Sequence, residues 1–239
     1  MERNGWKWVG ICAAALLLAA GFWVGSRRCL ESQHTFQPVR SRGETLVLDA
    51  GHGGEDGGAV SLTGTPESGI NLSIVLKMEQ LLAFCGDPPV VLRREDRSLH
   101  DASAQTLRQK KASDLRNRAA AVSAIEHAAL ISIHQNSYPN EKYHGAQVFY
   151  ANGTLSLPLA QRTQELLRTK LDPSNERAAK PIPDHVYLMN HISCPAILVE
   201  CGFLTNAEEE EKLRTGEYQT KLATVLCAAW LQEVNGHDK

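Results

Sequence analysis

The sequence predicts an α/β domain in which a mostly parallel or mixed sheet carries helices on both faces. Two observations predict it. Short β-branched and apolar runs alternate with stretches of helical apolar spacing from residue 45 onward. Three of those runs are followed at once by a histidine loop or a glutamate, and open α/β sheets build their sites beyond the carboxyl ends of strands.

The elements follow in order. Thr45-Leu46-Val47-Leu48-Asp49 reads as a buried strand entering the glycine loop Ala50-Gly51-His52-Gly53-Gly54. From Glu67 to about Phe84, Ile70, Ile74, Met78 and Leu82 recur at helical spacing, and Gly86 ends the run. Pro88 to Leu92 is a second strand, and Ser113 to about Ala128 a second helix that leads into the strand Ala129 to Ile133. Gly145 to Tyr150 is a further strand, Leu157 to Leu171 a helix, Val186 to Met189 a weak strand and Pro195 to Val199 a strong one. Tyr218 to Val234 closes the domain as a helix.

With 239 residues, 43% of them hydrophobic, the chain has material for one full-sized core but not for a second large domain. A formal charge of −2 and the lack of a basic stripe argue against a nucleic-acid partner. Cys12, Cys29, Cys85, Cys194, Cys201 and Cys227 are dispersed with no close pair, so they are no disulfide framework. Trp8 to Gly25 carries no charge, and as a helix it spans about 27 Å, close to a hydrocarbon core. Residues 1–26 therefore read as a membrane anchor or uncleaved signal, 27–44 as a polar linker and 45–236 as the folded domain. A cleaved secretory signal is the competing reading.

The strand-end residues carry the chemistry. His52 follows the first strand, His134 follows Leu130 to Ile133, and Glu200 follows Pro195 to Val199, while Glu67 stands in the first turn of the helix after the glycine loop. Two imidazoles and one carboxylate leave a fourth tetrahedral position open on zinc, and a second carboxylate nearby can take a proton from water. His52, Glu67 and His134 are thus candidate ligands of one zinc ion per chain, and Glu200 the candidate base. Each residue alone has a plainer reading: a loop histidine, a helix-start charge, a partner for some basic group. The glycine loop lacks both phosphate-binding spacings.

LVLDAGHGGEDGGAV around His52, ESGINLSIVLKMEQLL from Glu67, VVLRRED from Val90, ISIHQNS around His134 and LVECGFLTN around Glu200 together resemble the zinc-dependent N-acetylmuramoyl-L-alanine amidases of the type 3 class. The resemblance spans nearly all of the chain from Thr45 onward. It implies a mixed, mostly parallel six-stranded sheet and a peptidoglycan substrate of muramic acid with its stem peptide. It gives His52, Glu67 and His134 as zinc ligands and Glu200 as the catalytic glutamate. It also places Asn136 and Arg118 at family positions where they could bind substrate, although Asn136 bonding its loop and Arg118 pairing with a carboxylate are the preferred roles. Where the family often has Glu-Lys-Asp, this chain has Glu67-Ser68-Gly69, and glycine in a first helical turn costs up to about 1 kcal/mol. The stretch between His134 and Tyr150 has no room for the inserted helix with which some members block their site, so an open groove is expected. A single domain behind one membrane segment most resembles the spore-cortex members, acting outside the cytoplasm, with any activating protein partner undefined. The rivals are a cysteine hydrolase using Cys201, disfavoured because Cys201 and Glu200 alternate across a strand, and a non-catalytic wall-binding domain.

Overall fold

The computed structural model describes residues 43–236. Among these residues no helix is long and apolar enough to cross a membrane. The membrane span expected in residues 1–26, and all of the linker except Gly43 and Glu44, lie outside the described residues.

Six strands form one sheet: β1 (Thr45–Ala50), β2 (Val90–Val91), β3 (Ala128–Asn136), β4 (Gln147–Ala151), β5 (Lys180–Pro181) and β6 (Ala196–Phe203). Their order is β2-β1-β3-β6-β4-β5. Every neighbouring pair is parallel except β4 and β6. This is the mixed, mostly parallel sheet that the sequence predicts. The described helices are α1 (Glu67–Phe84), α2 (Leu107–Ser123), α3 (Leu157–Lys170), α4 (Tyr187–Asn190), α5 (Ala207–Leu213) and α6 (Gly216–Gly236).

Alternation along each strand sorts the core into two layers. Leu48, Ile131, Ile133 and Val199 face one side, where Ile74 and Met78 of α1 and Leu226 and Trp230 of α6 bury them. The Trp230 indole is itself tied down by donating Nε1–H to Asp87, 2.7 Å away. Val47, Leu130 and Leu198 face the other side, against Ala119 and Val122 of α2 and Leu188 and Met189 of α4. Helices on both faces leave the carboxyl edge of β1, β3 and β6 as the place where loops and side chains can meet a substrate.

Four elements differ from the sequence reading. Helix α2 starts six residues before Ser113, because Thr106 and Gln109 form a reciprocal capping box ahead of a charged first turn that has no apolar period. It stops at Ser123, and His127 at φ 52° turns the chain into β3. Val186 to Met189 is not a strand: Tyr187–Asn190 form one helical turn, held where Asn190 donates to the Pro183 and Val186 carbonyls at 3.0 and 2.9 Å. An apolar run this short fits either periodicity. Helix α5 and strand β5 were missed, although Asn206 before a run of glutamates is an N-terminal signal, and its side chain does accept from Glu209 N.

Candidate metal centre and active site

The site is built on the loop that leaves β1. Gly51 is there because nothing larger fits: a Cβ would stand 2.2 Å from the His134 ring. Gly58, at φ 72°, likewise has no room for a side chain, since a Cβ there would stand 2.6 Å from Glu67 Cγ. His52 itself sits at φ 63°, a region that costs a non-glycine residue energy and that persists where the surroundings enforce it. Two buried guanidiniums do the enforcing. Arg93 donates to the carbonyls of Ala50 (2.8 Å), Gly51 (3.1 Å) and Ser68 (2.8 Å). Arg118 donates to Ala50 O at 2.9 Å and His52 O at 2.8 Å, and it pairs with Asp49 and, at 2.7 Å, with Asp114.

The Arg118 side chain is 2% exposed and its donors are engaged by two carboxylates and two carbonyls, an arrangement that braces the loop. Burial opposes the charge on Asp49, but Arg118 and the Ser132 hydroxyl outweigh it and hold that carboxyl below its ordinary range.

Against this frame stand the predicted residues. His134 near the end of β3 is the register partner of Glu200 on β6, so the two side chains leave the same side of neighbouring strands. Glu67 opens α1, and its Oε1 lies 3.1 Å from His134 Nδ1 and 3.4 Å from His52 Nε2. The two rings are edge to face with centroids 5.1 Å apart. One donor atom each from His52, Glu67 and His134 falls within 4.8 Å of the others, so these three groups can hold a metal ion. The donor set suits zinc in kind and number. His52 Nδ1 is engaged 3.0 Å from Asp56 Oδ2, which fixes the ring and turns Nε2 toward Glu67, as outer carboxylates do for metal-bound histidines.

Glu67 and Glu200 have opposite surroundings. Burial would raise the Glu67 pKa, but His134, His52 and the Ala59 amide (2.7 Å) pull it down to about 2. Asn71 Nδ2 at 3.2 Å and Gln135 N at 3.3 Å complete its shell. Glu200 Oε2 is buried with no hydrogen-bond partner among the described residues. Burial, with Glu67 adding to it against the two histidines, pushes Glu200 up to about 7.

Cys201 is corrected as a nucleophile. It points to the opposite face from Glu200, buried in the layer of Val199 and Leu204, and burial pushes its thiol far above the range where a thiolate forms. Asn136 ends β3 beyond a register shift; its carbonyl accepts from Leu204 N at 2.8 Å, and its half-buried side chain makes no hydrogen bond among the described residues. Residues 137–146 contain no helix. Sequence reasoning missed Asp56, Asn71, Gln135 and Arg93. It also missed a cavity of about 220 Å³ beside the two histidines, walled by Leu115, Val186, Leu188, Met189 and Leu198. The larger depression, about 1040 Å³, touches none of the four predicted residues.

Residues 46–231 match the family described as N-acetylmuramoyl-L-alanine amidase. The chain belongs to this family. It is an amidase, an enzyme that hydrolyses the bond between the N-acetylmuramic acid lactyl group and the L-alanine of the peptidoglycan stem peptide. The germination-specific N-acetylmuramoyl-L-alanine amidase of Bacillus subtilis is 34% identical over 183 residues, 76% of each chain. The CwlD amidase of Clostridioides difficile, solved in complex with the GerS lipoprotein, is 37% identical, covers 82% of this chain and 100% of its own, and superposes with a TM-score of 0.77. The N-acetylmuramoyl-L-alanine amidase of Clostridium difficile 630 is 28% identical with a TM-score of 0.69, covering 80% and 97%.

Proposed function

We propose that this amidase is zinc-dependent, that His52, Glu67 and His134 hold its single zinc ion and that Glu200 is its general base. The observation that carries the reading is the convergence of three ligand-type groups within 4.8 Å, with an unpartnered buried carboxylate oxygen on the adjoining strand. Held by these three residues, the ion would supply a more acidic water, with a pKa toward about 7, and polarisation of the scissile carbonyl. The protein's own groups do the rest. Asp56 keeps the His52 ring turned toward Glu67, and Arg93 and Arg118 keep the loop carbonyls, and with them His52, in place. Glu200 Oε2 has no competing donor, so it is free to accept a proton from the attacking water and return it to the departing L-alanine nitrogen. Burial raises the affinity of the metal-free Glu200 carboxyl for a proton, as suits an acceptor that must hold one between two steps.

The side-chain amide of Asn136, free beyond the end of β3, is suited to a substrate contact, whereas Arg118 is structural. The helix-free stretch 137–146 supports a groove open without activation. Similarity to a germination-specific amidase and to an amidase solved with a lipoprotein supports work on spore-cortex peptidoglycan and a protein partner at the membrane. The apolar run Trp8 to Gly25 supports an N-terminal anchor with the catalytic domain outside the cytoplasm.

Mass analysis of purified muropeptides incubated with the zinc-loaded chain tests the reaction and metal together. The expected products are free stem peptide and peptide-free glycan, lost on chelation and restored by zinc. Cleavage that survives chelation overturns the zinc reading; intact muropeptides throughout overturn the reaction.

A further inference from the structure

Beyond Glu200 the sheet continues into a groove that the chemistry above does not use. Gln147 on β4 is the register partner of Glu200, so its side chain leaves the same face one strand further out. It is buried, and both ends of its amide are engaged: Nε2 donates to the Ala178 carbonyl, and Oε1 accepts from Arg177 Nη1 at 3.1 Å. Arg177 is fixed from three more directions. Its Nε donates to His144 O at 2.8 Å, its backbone N–H to Asn175 Oδ1 at 3.0 Å, and its guanidinium carbon lies 4.7 Å from the centre of the Phe203 ring. Phe203 in turn stacks on Tyr143, with centroids 6.2 Å apart.

So rigid a guanidinium ordinarily faces a carboxylate, yet none reaches Arg177. Among the described residues, Arg177, Lys142 and Lys180 make no ion pair, and all three line one groove of about 510 Å³ together with Gln147. Its only acidic lining residue is Glu176, whose side chain is exposed and pairs with none of the three. A half-buried, pre-oriented arginine with an unused Nη2 edge, flanked by two exposed lysines, is built to take an anion with planar oxygens. The groove starts one strand away from the candidate base.

We propose that Arg177, supported by Lys142 and Lys180, forms a carboxylate subsite that selects acidic peptides, receiving the free α-carboxylate of the second stem-peptide residue. The inference rests on the amidase reading and names its peptide specificity. Gln147 is then a positioning residue: it touches Arg177, not the peptide.

The test uses the full-length, zinc-loaded chain and two synthetic muramoyl peptides that differ only in whether the α-carboxyl of the second peptide residue is free or amidated. Wild type is expected to show a KM about tenfold lower for the free acid, the worth of one charge-assisted hydrogen-bonded pair, with kcat equal within about twofold. Added salt should narrow that gap. Arg177→Gln should close it by raising the KM for the acid alone, and Arg177→Lys should keep part of it. Lys142→Gln combined with Lys180→Gln, at exposed positions that do not endanger folding, should close it in part. Equal KM values for the two substrates in wild type, or a gap that survives both the arginine and the double-lysine variants, overturns the subsite. If wild type cleaves neither substrate, the failure lies in the amidase reading, and the subsite falls with it.

Discussion

Two carboxylates stand on the same edge of the sheet in opposite company. Glu67, at the head of α1, is saturated: two imidazole nitrogens, two backbone amides and an asparagine amide surround it, and its pKa is drawn down to about 2. Glu200, on β6, has a buried oxygen with no partner among the described residues, and burial lifts its pKa to about 7. The difference separates two jobs that one residue type can perform. A carboxylate kept permanently charged and immobile suits a cation; one kept unpartnered and near neutrality suits proton transfer. The same contrast runs through the scaffolding, since the β1 loop beside Glu67 is clamped by two buried arginines while the cations of the groove past Glu200 have no ion-pair partner among the described residues.

The contrast breaks most visibly at Glu200. Glu200→Gln should lower kcat by about 10³-fold with little change in KM, as measured on muropeptides by product analysis, because it removes the proposed proton acceptor and leaves the proposed ligands alone. Arg118→Ala should destabilise the fold by about 3 kcal/mol or more in urea titration, because Asp49 and Asp114 lose their shared partner in a buried setting. Asp56→Asn should weaken zinc binding by about 10- to 100-fold in competition with a chromogenic chelator, since the His52 ring loses its anchor.

A fourth, smaller effect sharpens the comparison through pH. Glu200 is raised in the folded state, so its contribution to stability is full below the unfolded value of about 4.3 and lost as pH rises through about 7. Glu67 is depressed, so its contribution is present above about 4.3 and lost only as pH falls toward about 2. In chelator, Glu200→Gln should therefore be more stable than wild type at pH 8, by on the order of 1–2 kcal/mol, and the margin should shrink toward pH 5. Thermal melts across that range read it directly. A margin that stays constant with pH contradicts the assignment of a buried, unpartnered acid.

Much of this was legible before any coordinates. Helix α1 runs from Glu67 to Phe84 as its apolar spacing predicts, and the order of strands and helices follows from runs such as LVL, LISI and AILV that read the same in any context. His52, Glu67, His134 and Glu200 could be nominated because strand ends and a helix start put them on one edge. Their support could not be. Asp56 matters because His52 takes a left-handed φ, Gln135 because its backbone amide reaches Glu67, and Arg93 because its side chain turns back under the β1 loop. None of these leaves a periodic trace. Helix α5 and the first turn of α2 were hidden for the opposite reason: they are mostly polar or charged with no apolar period, and only their caps announce them.

The division of labour between the two carboxylates is tested most directly by the zinc content of Glu67→Gln and Glu200→Gln, purified side by side and measured by elemental analysis. Glu200→Gln is expected to retain about one zinc per chain while inactive, and Glu67→Gln to lose it. Loss of zinc from both, or retention by Glu67→Gln, contradicts the account.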